Sequence, residues 1–297
     1  MALALARMEA ASGAPATTAL LDAAHYGARA HVIGLTGPPG VGKSTLIARL
    51  IEPLRGEHQS VGVIAVDPSS RQSGGALLGD RVRLALDAED AGVFVRSMAA
   101  RGRLGGLAAE AHAAVVLMRA VYDWVIVETV GVGQSETDVA TIADTIVLCV
   151  QPGSGDSLQY LKAGIAEIPD IAVIGKADLG SIALKTRGDL EAALALDRRA
   201  DGWSVPVVAV SGTKAQGIGA LVQAIKDHTG HLAGEGRLEA RRQAQAESWL
   251  AAAVRSEFGR RGLQRAERAG ALELAPGEAP FGALQRLTAA LLEPPAR

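Results

Sequence analysis

Short, unbroken apolar runs recur between His31 and Ser211, each followed by Gly, Pro, Asp or Ser and then by a stretch with helical spacing. The runs are His31 to Thr36, Val61 to Asp67, Trp124 to Thr129, Thr145 to Val150, Ile171 to Ile174 and Val205 to Ser211. A run that is apolar at every position, not at alternate ones, belongs to a strand covered on both faces, the habit of a parallel sheet. Between the runs, the spacing predicts helices over Lys43 to Leu54, Leu104 to Val121, Leu158 to Glu167, Thr186 to Ala195 and Ile218 to Asp227. Strand and helix in alternation predict an α/β fold with a doubly wound, mostly parallel sheet.

The ends of the chain read differently. Residues 1–30 are Ala-rich and predict a helical arm, with Thr17 or Thr18 as N-cap of a short helix through Leu20, Leu21 and Ala24. After Gly230 the strands stop. Leu238 to Phe258 has apolar residues at helical intervals, Gly270 to Pro280 reads as a break, and Phe281 to Leu292 as a last helix. The expected division is an arm at 1–30, an α/β domain at 31–232 and a helical extension at 233–297. An extension of this kind has to pack on the main domain or on another copy of itself.

Composition narrows the chemistry. A net charge of -2 and 3% aromatic residues supply neither the basic field nor the stacking surface of a nucleic-acid binder. The single cysteine, Cys149, excludes a disulfide framework and a multi-cysteine zinc site, and it reads as a core thiol within an apolar strand. No apolar run approaches the roughly 20 residues of a spanning helix, and Met1 to Met8 lacks a signal peptide's apolar core. The expectation is a protein of the reducing cytoplasm with no membrane partner.

One motif carries the chemistry. Gly37, Pro38, Pro39, Gly40, Val41, Gly42, Lys43 and Ser44 satisfy G-x-x-x-x-G-K-[ST] directly after a predicted strand and before a predicted helix. Such a P-loop points successive backbone N–H groups at phosphate oxygens, at the positive end of the helix that follows. Lys43 would reach the β- and γ-phosphates, and the Ser44 hydroxyl would bind Mg²⁺. Asp67 and Glu128 close the second and third runs, at the strand ends where this fold places ligands and magnesium.

The base is read further along. Guanine offers N1–H and an exocyclic amine, both donors, so one carboxylate can accept from both and reject adenine. Asp178, two residues after Lys176, suits that part. The Lys176 stem would lie along the ring, and Ser211, Gly212 and Thr213 would bring backbone N–H groups to O6.

Five segments in order, Gly37 to Thr45, Val66 to Ser70, Ser73 to Asp80, Val127 to Glu136 and Pro152 to Asp156, resemble the MeaB family. These SIMIBI-class P-loop GTPases are chaperones of adenosylcobalamin-dependent acyl-CoA mutases and were earlier described as ArgK or LAO/AO transport kinases. The likeness runs from about His31 to His228. It implies GTP and GDP as ligands, Lys43, Ser44 and Thr45 in the P-loop, and Asp67, Asp80 and Glu128 at or near magnesium. Gly131 matches the switch glycine that senses the γ-phosphate. Gln134 reads as a water-orienting residue or as a solvated loop amide. Gly153 to Lys162 matches a loop that couples nucleotide state to the mutase. The likeness also implies a homodimer made through the C-terminal extension, and slow hydrolysis without the partner.

Two departures stand out. Where the family's guanine motif begins with Asn, this chain has Gly175, which leaves purine N7 without its usual partner and selectivity with Asp178. Restoring Asn there is expected to tighten guanine binding. The arm before the P-loop is also shorter than is usual in the family. The expected function is a Mg²⁺-dependent GTPase that gates adenosylcobalamin loading and protects or reactivates a mutase. The alternatives are an ATP-dependent kinase, as the older label implies, and a metal-insertion GTPase, which would want Cys and His ligands near the switches.

Overall fold

The computed structural model describes residues 1–56, 58–67, 90–99, 109–129, 139–153, 169–195 and 199–292. Among these residues seven strands, all paired in parallel, form one sheet: β1 (His31–Thr36), β2 (Val61–Asp67), β3 (Val93–Ala99), β4 (Trp124–Glu128), β5 (Thr145–Val150), β6 (Ile171–Ile174) and β7 (Val207–Ala209). Their order is β3-β2-β4-β1-β5-β6-β7. The chain leaves β1 toward one edge and returns to β1's other side at β5. The crevice at the carboxyl end of β1 is therefore the switch point at which open α/β sheets bind ligands.

Alternate residues of each strand enter different cores, which is why the sequence runs are apolar throughout. Val32, Ile64, Val125 and Val127 face one cluster, while Ile33, Leu35, Val63 and Ile126 face the other. The first cluster is covered by α1 (Ala2–Ala10), α2 (Pro15–Tyr26) and α4 (Ala109–Val121). The second lies under α3 (Lys43–Arg55) and α6 (Ile218–Ala233). A third, smaller cluster sits under α5 (Ser181–Leu194).

The arm differs from expectation. It holds two helices, and the second starts at Pro15 with Ala14 as N-cap, because Pro fits the first helical turn. Thr17 and Thr18 lie buried inside it instead of capping it. Leu5, Met8 and Leu21 are buried in the first cluster, so the arm is part of the core. Edge strand β3 was not expected, and α5 begins five residues earlier than its spacing suggested. The predicted helix at 158–167 lies outside the described residues.

The C-terminal extension comprises α7 (Arg237–Arg268) and α8 (Pro280–Leu292). Helical geometry in α7 breaks at Gly259, whose φ of 67° suits a residue without Cβ. The two helices enclose a small core around Leu250, Val254 and Leu287. They also reach the main body: Trp249 and Phe281 pack with His112 of α4, and Gly282 N–H donates to Asp22 of α2 at 3.2 Å.

His112 is buried and stacked on Trp249 with ring centroids 5.2 Å apart. Burial, followed by the nearby charges of Arg119 and His25, pushes its pKa down to about 3. His31 is pushed down to about 4, mainly by burial. Between these values and the unfolded value near 6.5, the unfolded chain holds protons that the native state excludes. Stability therefore falls as pH drops through that window, by up to roughly 1.4 kcal/mol per unit per histidine. Thermal melts from pH 7 to pH 4.5 should show a declining midpoint, and His112→Phe should make the decline shallower. An unchanged slope in that variant would remove His112 from the account.

Candidate functional site

β1 delivers the chain into Gly37, whose φ is +133°. A Cβ there would meet the Cys149 carbonyl at 2.1 Å, so the first turn of the loop passes where only Gly fits. Gly40 and Gly42 also have positive φ, 77° and 100°, and Gly42 forms the N-cap of α3. The loop thus wraps the amino end of a helix whose first amides lack partners inside it. Lys43 is buried. Its Nζ donates to Gly37 O at 2.6 Å and to Pro38 O at 3.1 Å, which holds the ammonium across the loop.

Parallel register aligns Leu35 with Glu128 and Ala65 with Glu128, placing the ends of β1, β2 and β4 side by side. Ser44 Oγ donates to Glu128 Oε1 at 2.9 Å. A hydroxyl and a carboxylate in contact beside the P-loop are the hard oxygen donors magnesium takes, and these residues fit that ion. Asp67 closes β2 at the same edge of the sheet. Asp80, Gly131, Gln134 and Lys162 lie outside the described residues.

The P-loop opens into a cavity of about 370 Å³. It is lined by Gly40, Val41, Gly42 and Thr45 of the P-loop and the helix after it, and by Gly175, Lys176, Asp178 and the turn Ser211, Gly212 and Thr213. The backbone explains this gathering. Lys176 takes the left-handed conformation, φ 52°, and turns the chain into a 3₁₀ segment, Ala177–Leu179, that carries Asp178. Ser211 is tied by two backbone hydrogen bonds to Gln216, which fixes the turn. The Asp178 carboxyl is held below its usual value by a hydrogen bond from Ser211, then by its own backbone N–H and by Lys214 and Lys176, so it stays an acceptor.

Two features were not read from the sequence. Arg49 of α3 donates to Gly212 O at 2.9 Å and ties the base turn to the P-loop helix. Cys149 lines the cavity, with its thiol pushed up to about 12 by burial, so it is a wall and no nucleophile. A Cβ at Gly175 would stand 2.8 Å from Val41 O, so Asn there requires the P-loop backbone to shift, a strain that opposes the expected gain in guanine affinity.

Residues 1–267 match the family described as methylmalonyl Co-A mutase-associated GTPase MeaB. The chain belongs to the MeaB family. It is thereby a P-loop GTPase that binds GTP and GDP with Mg²⁺ and hydrolyses GTP. A Pyrococcus horikoshii protein named as a GTPase is 46% identical over 224 residues, covering 73% of this chain and 70% of its own. The mitochondrial methylmalonic aciduria type A homolog of Mus musculus is 38% identical over 222 residues, 73% of this chain and 54% of its own. A solved structure described as an LAO/AO transport system kinase superposes with a TM-score of 0.66 at 28% identity, over 98% of this chain and 92% of that one. Membership of the MeaB family favours the GTPase reading over the kinase and metal-insertion alternatives. Among the described residues no helix is long and apolar enough to cross a membrane.

Proposed function

We propose that this chain is a GTP-driven switch whose partner is an adenosylcobalamin-dependent acyl-CoA mutase, and that it gates cofactor loading and protects or reactivates that enzyme. The observation that carries the reading is the cavity that brings the P-loop residues Gly40 to Gly42 and Thr45 together with Asp178, next to the Ser44–Glu128 contact and the Lys43 ammonium of the same loop. P-loop amides and Lys43 hold the β- and γ-phosphates. Ser44 and Glu128, with Asp67 and, as the family likeness implies, Asp80, would hold magnesium, which when bound neutralises charge on the phosphate oxygens. A water attacks the γ-phosphorus in line, the bond to the β–γ bridging oxygen breaks, and GDP and phosphate leave. The family likeness gives Gly131 the part of sensing the γ-phosphate, and leaves Gln134 either to orient that water or to stand as a solvated loop amide.

The Asp178 carboxylate accepts from N1–H and the 2-amine of guanine, with Lys176 along the ring and the Ser211 to Thr213 turn at O6. Loss of the γ-phosphate releases the segments that contacted it, and the mutase reads the change. The protein works in the cytoplasm as a homodimer made through the C-terminal extension, as the family resemblance implies. The membership in a mutase-associated family supports the partner.

Calorimetric titration with GTP and ATP in Mg²⁺, followed by single-turnover hydrolysis with and without a mutase, tests this. Binding of GTP with rejection of ATP, and hydrolysis changed by the mutase, are the expected results. Tight ATP with weak GTP would overturn the base assignment, and hydrolysis indifferent to every mutase tried would overturn the partner.

A further inference from the structure

We propose that the purine pocket reads its ligand without using N7, so that a guanine nucleotide altered at that position binds as tightly as GTP. The inference rests on the GTP reading of the cavity given above. Residue 175 follows β6 in the lining of that cavity, with Lys176 and Asp178, and as Gly it brings no side chain. Its N–H is committed to Val150 O at 2.9 Å. The Ala177 N–H donates to Val210 O at 2.9 Å, and the Leu179 and Gly180 N–H groups turn back on Lys176 and Ala177.

What this wall presents is an acceptor. The Val41 carbonyl lies 2.8 Å from where a Cβ at 175 would stand, and the Val150 carbonyl 3.7 Å from it. N7 of guanine is also an acceptor, and two acceptors make no hydrogen bond. O6 and N7 are neighbours on one edge of the ring. With Asp178 on N1–H and the amine, and the Gly212 turn at O6, the N7 position faces the wall of Gly175 and Val41. Replacing N7 by C–H removes an acceptor that residue 175 satisfies with neither side chain nor amide. A C–H beside a carbonyl is tolerated there. Discrimination among bases then falls on Asp178.

The test is titration of the full chain, in Mg²⁺, with GTP, 7-deaza-GTP, ATP and xanthosine triphosphate. The expected result is a 7-deaza-GTP affinity within about twofold of GTP, since no hydrogen bond is lost. Asp178→Asn should move the preference from GTP to xanthosine triphosphate, whose C2 carbonyl accepts from the new amide. A 7-deaza-GTP affinity lower by about tenfold or more, with GTP still preferred over ATP, overturns this inference and leaves the GTP reading intact. Failure of the Asp178→Asn exchange removes the edge assignment on which the argument turns. Equal binding of ATP and GTP, or no binding of GTP, defeats the reading of the cavity itself.

Discussion

Lys43→Ala is expected to lower single-turnover GTP hydrolysis by about 10²- to 10³-fold, the loss seen when one donor aimed at developing charge is removed. The size follows from the position of the ammonium. Lys43 is buried at the start of α3 and already bonded to Gly37 O and Pro38 O, so little ordering remains when a phosphate arrives. Without it, two loop carbonyls face a polyanion with no ammonium between them. Lys43→Arg should fail as well, because a planar fork does not replace a point charge held at 2.6 Å from a carbonyl. Phosphate release measured beside a thermal melt separates lost chemistry from lost folding. A Lys43→Ala protein hydrolysing GTP within about threefold of wild type would remove Lys43 from the phosphate site.

Asp144→Ala should destabilise the protein by roughly 3–5 kcal/mol while leaving GTP affinity unchanged, because it breaks a buried ion pair at the opposite edge of the sheet, where the strands begin. Asp144 precedes β5 and is fully buried. Its carboxylate accepts from Val32 N–H at 2.8 Å and from Arg242 of α7 at 2.9 and 2.6 Å. Burial pushes its pKa up, but the hydrogen bonds and charge of Arg242 outweigh this and hold it down to about 2. Because the folded value lies below the unfolded 3.8, the stabilisation is complete above pH 3.8 and disappears as pH falls toward 2. Removing the carboxylate leaves the Val32 N–H without its acceptor and the Arg242 guanidinium with the Ala30 carbonyl but no counter-charge. Urea denaturation at pH 7 gives the loss directly. A loss below about 1 kcal/mol would show that α7 is held to the sheet by other means.

Asp170 repeats the arrangement before β6. It is fully buried and accepts from Ile146 N–H, from Arg199 and from Arg241 of α7. Two successive arginines of one helix thus engage two carboxylates at the amino ends of neighbouring strands. The chain carries a local hint of this, an Asp immediately before the runs that start at Thr145 and Ile171 and an Arg pair in a polar helix. No spacing rule pairs residues about 70 and 98 positions apart. The same limit hid β3: Val93 to Ala99 mixes Arg and Ser with apolar residues, and it becomes a strand by pairing with β2 over its whole length.

Local stereochemistry let the sequence by itself determine the parallel α/β class, most strand positions and the phosphate loop. A glycine pattern before a helix has one use, and a both-faces-apolar run has one environment. Lys43, Ser44, Asp178 and the Ser211 to Thr213 turn were legible for the same reason, since each belongs to a short contiguous motif. Only the tertiary structure decided that these motifs share one cavity, that Arg49 and Cys149 belong to it, and that a Cβ at 175 would press on Val41 O. It also decided that both ends of the chain pack against the sheet domain. Those facts depend on distances between residues far apart along the chain, and such distances are fixed by the closing of the sheet and its cores, which no local pattern encodes.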